Sequence, residues 1–110
     1  MDLVQGTLDM LILETLRQGP LHGHAVVKSI EQHSEALLNV QHGSLYPALQ
    51  RLQQEGWITA AWGTSSTNRQ AKFYSLTPAG RRHLRAEASR WEKLTRAIGL
   101  IMSPARQEPT

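Results

Sequence analysis

Side chains that can hydrogen-bond to the edges of DNA bases recur between positions 50 and 54. Gln50, Arg51 and Gln54 fall on one side of a helix that advances about 100° per residue, with Pro47 beside them. An arginine can pair with guanine through two hydrogen bonds, and a glutamine can pair with adenine in the same way. We expect this side to contact a nucleic acid. The alternative is an ordinary solvated helix face.

A second set of residues has the chemistry of phosphate binding. Ser44 is expected at the N-cap of the same helix, where its hydroxyl and the helix N–H groups could hold a phosphate. Tyr46 lies beside the outward side, where a half-buried packing ring is one interpretation. Arg69 and Lys72 are the cations of a predicted β-hairpin, which could touch the DNA backbone or remain a mobile polar loop.

The charge of the chain is unevenly distributed. The 110 residues carry a formal net charge of +3. Residues 1–40 hold two Lys and Arg against five Asp and Glu, whereas residues 81–110 hold seven against three. A basic half on a small protein favours a nucleic-acid partner, although a solvated basic helix gives the same pattern.

Apolar periodicity and turn residues predict the elements that carry these side chains. Three helices are followed by a hairpin and a long last helix, which predicts an α+β, mainly α, winged helix-turn-helix fold. Gly56 is expected to end the third helix in the left-handed conformation, and Thr77 to cap the last one. The predicted helices are Thr7–Gln18, His24–Ser34, Ser44–Glu55 and Pro78–Met102, and the strands are Trp57–Trp62 and Ala71–Leu76.

The last helix carries an apolar seam with heptad-like spacing. Leu84, Trp91 and Ile98 are seven residues apart, and Leu94 and Ile101 form the companion column. A helix of about 25 residues is about 37 Å long, longer than a small body can cover. We therefore expect a dimerisation helix, with packing on the chain's own core as the alternative.

Composition and motifs exclude several function classes. The chain has no cysteine, its five histidines show no paired metal-ligand spacing, and no catalytic motif is visible. We expect that the protein is not an enzyme and that it holds no cofactor and no metal ion. The apolar runs are far shorter than the roughly 20 residues of a membrane span, so a cytoplasmic location is expected. The expected organisation is a DNA-binding domain over residues 1–77, a dimerisation helix over 78–102 and a flexible tail over 103–110.

Several motifs, in an unbroken order over residues 4–98, resemble the PadR family of bacterial transcriptional regulators. The single last helix is similar to the short-tailed branch of that family. The motifs are Gly6-Thr7-Leu8-Asp9-Met10-Leu11-Ile12-Leu13, Gly19-Pro20-Leu21-His22-Gly23, Gly43-Ser44-Leu45-Tyr46-Pro47-Ala48-Leu49-Gln50-Arg51-Leu52, Gly56-Trp57-Ile58 and Asn68-Arg69-Gln70-Ala71-Lys72-Phe73-Tyr74-Ser75-Leu76-Thr77-Pro78-Ala79-Gly80.

The resemblance implies a winged-helix homodimer that represses transcription by binding double-stranded DNA at a palindromic or pseudo-palindromic operator. It also implies that Tyr46 contacts a phosphate or sugar of the DNA, rather than being only a packing ring. Two alternatives remain open. A ligand-responsive sensor would have a cavity near Trp91 and bind a small, flat aromatic effector. A winged helix used as a protein-interaction module would lack salt-sensitive affinity for DNA.

Overall fold

Four α-helices and a small antiparallel sheet make up the fold. The structure, a computed structural model, describes residues 5–103. A short 3₁₀ turn, Leu16–Gln18, extends the first helix. The elements in chain order are α1 (Gln5–Thr15), β1 (Leu21–His22), α2 (Gly23–His33), α3 (His42–Gln54), β2 (Ile58–Thr64), β3 (Gln70–Leu76) and α4 (Pro78–Met102).

The sheet contains the predicted hairpin and one strand that the sequence patterns did not indicate. Strands β2 and β3 pair along their whole length, from Ile58 opposite Leu76 to Thr64 opposite Gln70. The two-residue strand β1 pairs with the other edge of β3, so the strand order is β1-β3-β2. Two residues are too few to show the alternation by which a strand is predicted, so β1 was missed.

One apolar core lies between the three short helices and the base of the hairpin. The leucines on the inner side of α3, Leu45, Leu49 and Leu52, are buried, and so are Ile58 and Tyr74 at the hairpin base. The helical side chains of the core are Leu8, Ile12, Leu13, Leu16, Val26, Val27, Ile30, Leu45, Ala48, Leu49, Leu52 and Leu84. This packing fixes which side of α3 remains in solvent.

The start of α4 is fixed against the hairpin. The hydroxyl of Thr77 accepts a hydrogen bond from the Gly80 N–H at 3.0 Å and donates one to the Gly56 carbonyl at 2.7 Å. The His83 ring stacks on Trp57 with 3.5 Å between ring centroids. The predicted Thr77 cap is confirmed, and so is Gly56, whose φ of 77° is left-handed.

Three helices, a hairpin and a long last helix confirm the predicted fold class. The described part of the chain measures 63 × 28 × 23 Å, because α4 extends beyond the rest of the molecule. The predicted tail over 103–110 lies outside the described residues except for Ser103. No helix among residues 5–103 is long and apolar enough to cross a membrane.

Candidate nucleic-acid interface

The solvent side of α3 carries most of the predicted DNA-facing residues. Tyr46, Pro47, Gln50 and Gln54 are exposed, and the opposite side of the helix is buried in the core. The predicted outward orientation of Pro47, Gln50 and Gln54 is confirmed, and Tyr46 lies beside them, 52% exposed. Contact with DNA stays a prediction for each of them.

The start of α3 differs from the prediction. The helix begins at His42 after the N-cap Gln41, so Ser44 is its third residue and the N-cap assignment of Ser44 is wrong. The carbonyl of Gln41 accepts hydrogen bonds from the N–H groups of Ser44 and Leu45, and these bonds form the first turn before Ser44. The helix end that could bind a phosphate is therefore at His42.

Pro47 also lies deeper in α3 than predicted. It is the sixth helical residue rather than a residue of the first turn. A proline there has no N–H to donate to the carbonyl four residues earlier, that of Gly43. Because both Gly43 and Pro47 are exposed, the Gly43 carbonyl lies close to water.

Arg51 is the predicted DNA contact whose orientation the structure contradicts. Its Nη2 donates to Asp9 Oδ1 at 2.8 Å, and its Nε donates to Asp9 Oδ2 at 3.4 Å. Arg51 follows Gln50 by about 100° around the helix, which turns it toward α1. No local sequence pattern indicates this pair, because Asp9 is 42 residues away along the chain.

An open groove separates α3 from the hairpin. Its volume is about 560 Å³. Gln53, which was not among the predicted DNA contacts, lies on this groove beside the two predicted glutamines. The groove is lined by Tyr46, Gln50, Gln53, Gln54, Lys72 and Tyr74. It therefore joins the polar side of α3 to one cation of the hairpin.

The hairpin presents an aromatic side chain that was also not among the predicted DNA contacts. Trp62 pairs directly with Lys72 across the strands, and the Lys72 amino group lies 6.0 Å from the Trp62 ring centroid. Trp62 is 70% exposed. It shares its face of the sheet with the buried Tyr74, because alternate residues of a strand point the same way. The strand register that places Trp62 beside the groove was not readable from the sequence.

Arg69 lies in the turn at the tip of the hairpin. The Ser65 N–H donates to the Arg69 carbonyl at 2.7 Å, and the Asn68 N–H donates to the Ser65 carbonyl at 2.9 Å. Asn68 has a φ of 62°, which asparagine tolerates better than most residues. The turn holds the exposed Arg69 at the tip, away from the core.

Tyr46 and Tyr74 connect the groove with α2. A Cβ placed on Gly23 would lie 3.2 Å from the Tyr46 hydroxyl, so α2 approaches this ring closely at its first residue. Burial raises the pKa of the Tyr74 phenol above its usual 10.0, and the neighbouring Tyr46 raises it further. Tyr74 is therefore neutral at pH 7.

His22 near this surface has a structural role. His22 caps α2 through its Nδ1, which accepts a hydrogen bond from the Ala25 N–H at 3.2 Å. His22 also contacts Phe73 edge-on and stacks near His24. Among residues 5–103, no three His, Asp or Glu side chains are placed to hold a metal ion.

The seam on α4 is exposed except at its first residue. Trp91, Leu94, Ile98 and Ile101 are 44%, 48%, 50% and 67% exposed. Leu84 is 3% exposed and belongs to the core of its own chain, so its assignment to a dimer seam is wrong. The predicted heptad column starts where α4 still packs against α1, and for this reason the sequence could not separate the two uses.

The sequence of residues 12–86 matches the "Transcriptional regulator PadR-like family". A curated relative from Bacillus subtilis, "Negative transcriptional regulator PadR", is 31% identical over 77 residues, which are 70% of this chain. The match spans 42% of that relative's own length.

Solved structures show the same fold. A PadR family transcriptional regulator from Eggerthella lenta is 32% identical with a TM-score of 0.73, covering 91% of this chain and 85% of that one. A transcriptional regulator from Clostridium thermocellum is 25% identical with a TM-score of 0.79, covering 90% and 96%. Both similarities extend over almost all of the described residues.

Proposed function

Because this chain belongs to the PadR-like family of transcriptional regulators, we propose that it binds double-stranded DNA at a pseudo-palindromic operator as a homodimeric repressor. The observation that supports this proposal most directly is the groove in which the exposed glutamines of α3 face Lys72 of the hairpin. Members of this family are DNA-binding regulators and not enzymes. Such a regulator acts where the DNA is, in the cytoplasm.

The side chains on this surface divide into two roles. Gln50 and Gln54 reach base edges in the major groove, where a glutamine amide can pair with adenine. Ser44, Tyr46, Arg69 and Lys72 contact phosphates and set the position of α3, while Pro47 packs against the backbone. Phosphate contacts fix the register of a protein on DNA, and base contacts give the sequence preference.

The homodimer supports binding of a two-part operator. The exposed residues Trp91, Leu94, Ile98 and Ile101 lie along one side of α4, and a stripe of this kind favours a partner helix. Two α3 helices held about 34 Å apart would meet the same groove face one helical turn later. Repression agrees with the name of the Bacillus subtilis relative, a negative transcriptional regulator.

Selection of genomic fragments tests this proposal. The purified protein is mixed with fragmented genomic DNA of its source, and the retained fragments are sequenced and footprinted. We expect a small set of fragments with two half-sites about one helical turn apart. The matched control is the double variant Gln50→Ala/Gln54→Ala, which should retain DNA without that sequence preference. Recovery of no enriched fragment by the wild-type protein would contradict the proposal.

A ligand-responsive regulator is the second candidate. Trp91 lines a cleft of about 290 Å³ between α1 and α4, together with Met10, Leu94 and the Glu87–Arg90 ion pair. An exposed indole beside apolar side chains suits a small, flat aromatic effector. Titration with flat aromatic compounds tests it, followed by tryptophan fluorescence of the wild type and of Trp91→Phe, because Trp57 and Trp62 also fluoresce, and by operator affinity. Binding that leaves operator affinity unchanged would exclude an effector role.

A further inference from the structure

The Asp9–Arg51 ion pair connects α1 with the DNA-facing helix. It is the side-chain contact described above in which two nitrogens of one guanidinium meet both oxygens of one carboxylate. The side chains are 33% exposed for Arg51 and 20% for Asp9. A pair that is partly shielded from water is screened less by salt than a surface pair.

The geometry of this pair adds a directional restraint to the apolar packing of α3. The buried side chains of α3 hold its inner side in the core, but hydrophobic burial is itself non-directional. A two-point contact between a planar guanidinium and a carboxylate is directional. Arg51 directly follows Gln50, so holding Arg51 on α1 also holds Gln50 toward the groove.

The other side of α1 packs against α4. Gly6, Thr7 and Met10 of α1 line the cleft that they share with Trp91 and Leu94. Asp9 therefore lies on a helix that contacts the proposed dimer seam on one side and α3 on the other. The orientation of α3 relative to the dimer axis depends on this helix.

We propose that Asp9 and Arg51 are positioning residues for DNA binding, which hold the base-reading side of α3 at a fixed angle to α1. This inference rests on the proposed function. It gives Arg51 a role through Asp9 and not through a base. Loss of Asp9 then lets α3 turn, and the Gln50 amide no longer meets its base in the right geometry.

The removal of Asp9 distinguishes positioning from base reading by the direction of the change. Asp9→Ala deletes a negative charge near a polyanion, so electrostatics alone would raise DNA affinity. If Arg51 read a base, its release from Asp9 would also raise affinity. Positioning predicts the opposite, a loss of operator affinity of about fivefold. This size corresponds to the roughly 1 kcal/mol that a partly exposed ion pair contributes.

The experiment measures operator affinity for the wild type, Asp9→Ala, Glu14→Ala and the reversed pair Asp9→Arg/Arg51→Asp. Glu14→Ala is the matched control, because it removes the same charge from α1 but Glu14 pairs with Arg17 and not with α3. We expect Glu14→Ala to bind at least as well as the wild type. The reversed pair should regain most of the affinity, although position 51 then carries a carboxylate.

A panel of single-base operator changes gives the second measurement. Asp9→Ala should weaken discrimination at the same base pair as Gln50→Ala does, which a purely stabilising role would not produce. All affinities are measured well below the unfolding temperature of each variant. Unchanged or higher affinity of Asp9→Ala would overturn the inference while the wild type still bound DNA. Absence of binding by the wild type would instead overturn the proposed function.

Discussion

We expect the glutamine and arginine side chains on this surface to make different kinds of contact with DNA. We expect Gln50→Ala to weaken binding of the preferred operator by about 1–3 kcal/mol and to relax the preference at one base pair, because the lost amide reads a base edge. The measurement is the affinity for a panel of operators with single-base changes. An equal loss on every operator of the panel would show that Gln50 contacts only the backbone.

Arg69→Ala tests the hairpin tip on the same panel. Arg69 is exposed in the turn, so we expect it to contact phosphate and its removal to weaken all sequences about equally. The slope of log affinity against log salt should become less steep by about 1 for each Arg69 in the dimer. A loss confined to one operator position would assign Arg69 to a base instead.

Tyr74 should make the folded protein less stable at alkaline pH. Burial and Tyr46 raise the pKa of Tyr74 in the folded chain above 10.0, the value expected when it is unfolded. The unfolded chain therefore loses this proton first, and the stability from neutral Tyr74 is full below pH 10 and is lost as the pH rises toward the folded pKa. Urea unfolding at pH 8 and above pH 10 should show a larger loss for the wild type than for Tyr74→Phe. Equal losses would remove Tyr74 as the cause.

At the level of elements, the start of α4 depends on a glycine. A Cβ at Gly80 would lie 2.1 Å from the Trp57 carbonyl oxygen, whereas a Cβ at Gly99 meets no atom within 4 Å. We expect Gly80→Ala to destabilise the fold by about 1–3 kcal/mol through overpacking. Gly99→Ala is the control in the same helix and should be neutral or slightly stabilising. Chemical unfolding of both variants measures the difference, and a Gly80→Ala variant as stable as the wild type would contradict this packing.

Local sequence signals predicted most of the elements. The Thr77-Pro78 start of α4 and the left-handed Gly56 were predicted because each depends on residues next to it in the chain. The N-cap prediction for Ser44 was wrong because the helix starts earlier, with a first turn that is hydrogen-bonded to the Gln41 carbonyl. The site residues Trp62 and Arg51 needed information that no local pattern contains: the register of the hairpin for Trp62, and an acid 42 residues away for Arg51.

At the scale of the whole molecule, the exposed side of α4 predicts how two chains form a dimer. Trp91 is 44% exposed at the first position of the exposed seam, and Trp91→Glu places a charge there without touching the α3 groove. We expect monomers in sedimentation and a loss of operator affinity far larger than that of Arg69→Ala, because one α3 helix replaces two. A folded variant that remains a dimer and binds as before would place the dimer contact elsewhere, with α1 as the next element to test.

The most direct test of DNA binding through α3 and the hairpin is the salt dependence of operator affinity. A dimer that neutralises about six phosphates should show a slope of log affinity against log salt near −5. The measurement uses the fragment enriched by the wild-type protein and a shuffled fragment of equal length. We predict steep slopes for both, with tighter binding of the enriched fragment at every salt concentration. A flat response, or equal affinity for the two fragments, would contradict sequence-specific DNA binding by this protein.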